Sequence, residues 1–448
     1  MKIREQSPGL QVGICSNEQL SFSLNSPFKT GEKDSLITGR CDAVYSGSRI
    51  LLMQNEIELA NGSNFLLTPL HTDLASFTIH AVTIGVNFHW QREEDQVFKG
   101  GLRLIVEDNK VTAVNVLSIE DYLTSVISSE MSATSSEELL KAHAVISRSW
   151  LLAQVEKNKA LNRAVLVYNS NLRTGSEIVR WYDREDHLNF DVCADDHCQR
   201  YQGITRASSP VVEKVIEETF GEVLSYDGQI CDSRYYKCCG GITELFENVW
   251  EPVSHPYLQR VVDNPVDPVG YNLKIDKEEL AIKWIQGNPD SFCNTSDKTI
   301  LSQILNDYDQ ETQDFFRWTV RYTQSEISQL IRARTGIDFG TVNDLVPLER
   351  GVSGRIIRLK IQGTLNTMVI GKELEIRKAL SKSHLYSSCF FVEKINENKE
   401  ITFVLHGAGW GHGVGLCQIG AAVMGSKGYS YREILMHYFK NAVLEKRY

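Results

Sequence analysis

Apolar residues recur at Ile119, Tyr122, Leu123, Val126 and Ile127, the three-and-four spacing of a helix with one buried face. That register stops at Glu130-Met131. Thr134 and Ser135, with Glu137 and Glu138 three residues on, then offer two capping-box registers for a second helix. The second helix carries Leu139, Leu140, Ala144, Ser147 and Leu151 on or near one face. Just upstream, GGLRLIVEDNKVTAVNVLS predicts two strands with a turn at Glu107-Asp108-Asn109. Residues 1–100 read as β-rich, with strand-like runs such as QLSFSL, FLLTPL and SFTIHAVTIGV separated by turn residues. Within 266–315, KIDKEELAIKWIQGNPDSF and TILSQILNDYDQETQDFFRW read as helices. The pattern predicts an α+β fold: a β-rich domain over 1–100, then a core over 101–448 in which a helix pair packs on antiparallel strands.

At 448 residues, 42% of them hydrophobic, the chain can build two or three cores. A net charge of −10 argues against nucleic acid as a partner. No apolar run approaches the ~20 residues of a membrane helix, and Met1-Lys2-Ile3-Arg4-Glu5 opens with charge rather than the apolar stretch of a signal peptide. Ten cysteines are too few at this length for a disulfide scaffold.

Four places carry chemistry. Glu130 sits where one helix ends and the next begins; a carboxyl partly withdrawn from water there has a raised pKa, as a general acid near neutrality requires. On spacing alone, a solvated helix-end glutamate is the commoner case. His406 to Gly420 holds six glycines, but no Gly-Lys-Ser/Thr ending, so a phosphate loop is excluded. The glycines fit close backbone approach or positive φ instead. His406 and His412 in this stretch read as metal ligands or, more commonly, as locally hydrogen-bonded loop histidines. Trp410 offers an aromatic face to a sugar, or else a core side chain. In YYKCCGGITE, Gly240-Gly241 predicts a tight turn, and Glu244 reads as a second carboxylate or, preferably, an exposed strand-end acid. Finally, His187, Cys193, His197 and Cys198 cluster in HLNFDVCADDHC, ligand types that zinc accepts. A Cys193–Cys198 disulfide and two inert thiols are the alternatives.

Three of these segments resemble one family. ED-Y-L-x-x-V-x-x-x-EM followed by LKA-x-AV-x-x-RS, with Glu120, Glu130, Lys141, Ala142 and Arg148 in the matching positions, is similar to the core of the SpoIID/LytB proteins, stage II sporulation protein D and the amidase enhancers. His143 stands where that family usually has Gln. The glycine-rich GHGVGLCQIGA and the Tyr235–Pro265 segment match in the same order, as does Ser353-Gly354-Arg355. The resemblance implies a lytic transglycosylase with Glu130 as its acid, acting on peptidoglycan glycan strands without a metal-bound water. It implies Lys141, Arg148, Tyr235, His412 and Gln418 as substrate-binding residues, sharing a cleft with Glu130. It implies a structural zinc on His187, Cys193 and Cys198, and an extracytoplasmic place in the cell envelope, at odds with the missing signal peptide. A non-enzymatic amidase enhancer, which binds glycan or a partner amidase, is the rival. The 266–315 segment departs from the family and reads as an insertion at the cleft rim.

Overall fold

Asp108 and Asn109 both adopt positive φ, 48° and 60°, as a two-residue hairpin turn requires. They join antiparallel strands Gly101–Glu107 and Lys110–Ser118, with Lys110 opposite Glu107. The computed structural model describes residues 7–30, 35–72, 75–84, 91–132, 134–161, 171–181, 187–195, 198–205, 209–304, 314–397 and 400–448. Helices and strands are both abundant, as an α+β fold requires. Among the described residues the helices are α1 (Ile119–Glu130), α2 (Glu137–Leu161), α3 (Pro210–Glu218), α4 (Glu278–Gln286), α5 (Lys298–Ile304), α6 (Gln324–Thr335), α7 (Glu373–Ala379), α8 (Gln418–Ser426) and α9 (Tyr431–Tyr438). None is long and apolar enough to cross a membrane.

The hairpin does not start a separate sheet. Strand Gly9–Asn17 pairs with Lys110–Ser118, and Asn64–Pro69 pairs with Gly101–Glu107. Hydrogen bonding therefore runs straight across residue 100 in one 11-stranded sheet. Its alternating apolar face, with Phe22, Phe28, Leu104 and Val111, joins the buried sides of α1, α2, α8 and α9 in one core. A second core is built from the later sequence, around Ile327, Phe339, Leu359 and Phe403, where α6 and α7 cover two sheets, one of which also takes in strands Asn171–Arg173 and Glu177–Arg180. The 266–315 segment holds α4 and α5 as expected; 305–313, where the second predicted helix continues, falls outside the described residues. Near the end of the chain, Val443–Lys446 pairs antiparallel with Glu222–Tyr226 and so returns to the flank of α2.

Candidate active site

Helix α1 forms where the periodicity predicts, and all five of its repeating apolar residues are buried. Ser118 caps it by accepting from the Asp121 N–H, and Glu120 and Asp121 in the first turn suit the positive end of the helix dipole. It ends at Glu130, which is half-buried, because Met131 turns extended at φ −126°. The break that follows is held from outside: Ser132 N–H and Ser135 Oγ both donate to the Gln303 carbonyl of α5, at 2.9 and 3.0 Å. Neither predicted cap is used. Thr134 pairs with the Ser132 hydroxyl, and α2 is capped by Ser136, whose Oγ accepts from Leu139 N–H. The 266–315 segment is thus what fixes the chain just after Glu130.

Two of the expected substrate ligands have other partners. Arg148 is fully buried, and its guanidinium meets Glu120 side by side, Nε to Oε1 at 2.9 Å and Nη2 to Oε2 at 2.7 Å. Nη1 donates to the Glu222 carbonyl, and Tyr448 Oη donates to Glu120 at 2.6 Å. This is an interior tie between α1, α2 and the last strand, so Arg148 presents no face to a ligand. Lys141 bridges Glu138 at 3.2 Å and Glu218 of α3 at 2.8 Å, a helix-to-helix contact.

Tyr235 and Gln418 do come together, at His143, and His412 meets the Tyr235 carbonyl. The Tyr235 ring meets the His143 ring edge-on at 4.5 Å. Gln418, first residue of α8, places its amide nitrogen 3.3 Å from His143 Nε2, and His143 Nδ1 lies 3.3 Å from Ser147 Oγ. An amide N–H donating to Nε2 leaves the proton on Nδ1, so the imidazole is neutral. Burial also pushes its pKa down to about 3. His412 is likewise held neutral: Nδ1 accepts from Val414 N–H at 3.1 Å, leaving Nε2–H for the Tyr235 carbonyl at 3.0 Å. Burial, then the nearby Arg234, holds it well below the usual histidine range. With both nitrogens engaged, His412 braces the loop rather than transferring protons. Farther along α8, Gly425 lies against Ser136, so the closing motif reaches the break that follows Glu130.

The neutral histidines predict acid sensitivity. A histidine whose folded pKa lies below its unfolded value of 6.5 contributes stability at neutral pH, and loses it as pH falls from about 6.5 toward the folded value. For His143 that window runs down to about 3, at roughly 1.4 kcal/mol per pH unit. Denaturant unfolding at pH 7 and pH 5 should therefore show a smaller loss in His143→Gln than in wild type. Equal losses would mean that His143 is not buried neutral.

The glycines have the roles the sequence suggested. Gly240 and Gly409 both have φ of 75° and lie back to back, so that a Cβ on Gly240 would sit 2.8 Å from the Gly409 nitrogen. There Cys238 and Trp410 exchange backbone hydrogen bonds of 2.9 and 2.8 Å. Glu244 is neither exposed nor available as a second catalytic carboxylate. It is fully buried and accepts from Leu245 N–H, Asn248 Nδ2, Val352 N–H, Ser353 N–H and Ser353 Oγ. It locks the Gly240-Gly241 segment to the Ser353-Gly354-Arg355 turn. Buried Arg355 in turn donates to the Gly411 carbonyl. The sequence marked that turn only as a match, because nothing local shows what a buried arginine meets. Trp410 is half-buried against Tyr386 and Phe315, at 4.4 and 4.9 Å. His406 is not a partner of His412: it faces Glu393 at 3.0 Å, in a surface cavity of about 790 Å³ lined also by Arg317 and Trp318.

Among the described residues two side-chain groups gather enough ligand atoms to hold a metal ion. Ligand atoms of His187, Cys193 and Cys198 lie within 4.8 Å of one another, with His187 Nε2 3.6 Å from Cys198 Sγ. Their loop is part of the site's frame, since Gln199 receives the Tyr122 hydroxyl of α1 and reaches the Ser147 carbonyl of α2. His197 lies outside the described residues. The other group, Cys239, Asp263, Cys293 and Cys417, is entirely buried. Among the described residues all ten cysteines are free thiols.

The comparisons with known proteins follow the same outline. A family model described as Stage II sporulation protein matches residues 107–226, the hairpin through the strand beside α2. One described as Domain of unknown function (DUF8618) matches 244–415. Over 342 residues the chain is 25% identical to an uncharacterized protein of Brachyspira hyodysenteriae (strain ATCC 49526 / WA1), covering 76% of this chain and 70% of that one. It is 24% identical to an amidase enhancer of Bacillus subtilis (strain 168) over 72% of this chain, but spans only 40% of the enhancer. It is 21% identical to a stage II sporulation protein D of Bacillus amyloliquefaciens, covering 73% and 74% of the two chains. The helix pair broken at Glu130 lies inside the first matched region, and these matches support the assignment of the chain to the SpoIID/LytB family.

Proposed function

We propose that the protein acts on peptidoglycan in the cell envelope as a lytic transglycosylase, with Glu130 as its single acid and base. The observation that carries this reading is the place of Glu130. It is half-buried at the end of α1, on a break pinned by α5, while Glu120 and Glu244 of the same motifs are buried and tied to internal partners. Most glycosidases need two carboxyls. One suffices if the sugar supplies the nucleophile. Glu130 protonates the glycosidic oxygen between N-acetylmuramic acid and N-acetylglucosamine, and the C1–O bond breaks. The Glu130 carboxylate then takes the proton of the muramoyl C6 hydroxyl as O6 bonds to C1, which closes a 1,6-anhydro ring and regenerates the acid. No water is consumed. Tyr235 and Gln418, held by His143, are the residues assigned to substrate in this reading.

Digestion of denuded glycan strands by purified protein, read by mass spectrometry, tests this: 1,6-anhydromuramoyl ends are expected. Reducing ends without them would mean hydrolysis. The amidase-enhancer reading draws on the 24% identity to such a protein and on the internal engagement of Arg148, Lys141 and His412. It would gain if no product forms and the chain instead accelerates a wall amidase.

His187, Cys193 and Cys198 would hold a zinc ion with a structural role, tying the loop from His187 to Gly203 against α1 and α2. Cys198→Ser should lose one zinc equivalent relative to wild type and melt at lower temperature, because binding of a structural metal adds to folding stability. An unchanged zinc count by elemental analysis would rule this site out, and a Cys193–Cys198 disulfide would be the reading to test.

A further inference from the structure

Four segments far apart in sequence converge on one buried point. The sulfurs of Cys239, Cys293 and Cys417 and a carboxylate oxygen of Asp263 all lie within 4.8 Å of one another, and the four residues are 2%, 1%, 0% and 0% exposed. Hydrogen-bond donors point into the group. Gly241 N–H donates to Cys239 Sγ at 3.3 Å, and Cys239 N–H donates to Cys417 Sγ at 3.2 Å. Asp263 accepts from Tyr438 Oη at 2.6 Å, from Cys293 N–H at 2.9 Å and from Ser291 Oγ at 3.2 Å. Among the described residues no Lys or Arg pairs with Asp263; the basic side chain beside it is His437, whose Nε2 stands 3.8 Å away. Three sulfurs and one oxygen make a soft set of four donors. A zinc ion with bonds of about 2.3 Å to sulfur holds its ligands roughly 3.8 Å apart, and these atoms already lie within 4.8 Å of one another.

We propose that Cys239, Asp263, Cys293 and Cys417 form a second, structural zinc site, separate from His187, Cys193 and Cys198 and closed by four protein ligands. Its place explains its use. Cys239 belongs to the glycine turn, Asp263 follows the Pro256-Tyr257-Leu258 stretch, Cys293 lies in the 266–315 insertion, and Cys417 directly precedes α8. One ion there staples the insertion to the closing motif. The same two elements reach the active site: α5 holds the break after Glu130, and Gln418 holds His143. The 3.3 Å between the Cys239 and Cys293 sulfurs also admits a rival, a disulfide between them.

The test counts zinc in the full chain, purified with reductant and without chelator. Wild type should carry two equivalents per chain, both released to a chromophoric chelator. Cys198→Ser should keep one. Cys293→Ser should lose one equivalent and keep the other; Cys417→Ser serves if that variant does not fold. Cys198→Ser protein reloaded with cobalt(II) should show the thiolate-to-cobalt charge-transfer band that a Cys-rich tetrahedral site produces. A single equivalent in wild type that vanishes in Cys198→Ser overturns the proposal. So does an unchanged count in Cys293→Ser, or a Cys239–Cys293 disulfide found after alkylation of the unreduced protein.

Discussion

Glu130→Gln protein should release 1,6-anhydromuramoyl product at least ~10²–10⁴-fold more slowly than wild type, the usual loss when a general acid–base group is removed. The amide keeps the size and hydrogen-bonding shape of the side chain but can neither give nor take the proton. Both halves of the proposed cycle fail together, because the same oxygen protonates the leaving group and then deprotonates the C6 hydroxyl. Stability should change little, since Glu130 is half-buried at a helix end and lies outside the apolar face of α1. A variant that cleaves at the wild-type rate would remove Glu130 from the chemistry. If wild type and variant are equally inert on glycan, yet equally able to stimulate a wall amidase, the enhancer reading is correct.

The second large effect concerns stability. Arg148→Ala should cost about 3–5 kcal/mol, the range for breaking a buried ion pair and leaving one charge uncompensated. Glu120 would then stand buried with only the Tyr448 hydroxyl as a donor to its carboxylate, among the contacts described above. Arg148→Lys should recover little, because one ammonium cannot reproduce the side-by-side contact and the bond to the Glu222 carbonyl. The double replacement Glu120→Leu with Arg148→Met should recover most of the loss, since no orphan charge remains. Urea unfolding of the four proteins measures this. If Arg148→Ala unfolds like wild type but binds glycan more weakly, the arginine is a substrate ligand after all.

What could be read in advance follows the range of the interactions. The hairpin turn, α1 and its end at Glu130 are set by neighbours within a few residues, and they formed as the pattern predicts. The start of α2 was misread by one cap. Ser135, one of the two predicted caps, instead bonds to a carbonyl 168 residues later, and no local rule contains that partner. Arg148 and Glu244 were misjudged for the same reason. A charged residue in a motif looks alike whether it faces substrate or a buried counterpart. The boundary expected at residue 100 rested on where the hairpin of the family core begins, whereas strand pairing carries one sheet across it. The Cys239 and Cys417 sulfurs were visible as residues, but their shared neighbourhood with Asp263 and Cys293 exists only in three dimensions.

The contact between Tyr448 and Glu120 spans 328 residues. During synthesis, α1 leaves the ribosome early, with an ion pair to α2 ready to form but no hydroxyl to complete it and no strand beside Glu222–Tyr226 to shield it. That shield arrives with residues 443–448. Contacts of such long separation close late and slowly. The anchorage of α1 is therefore written in two places more than 300 residues apart, and the helix that ends at Glu130 gains its last tie only when the Val443–Lys446 strand has docked.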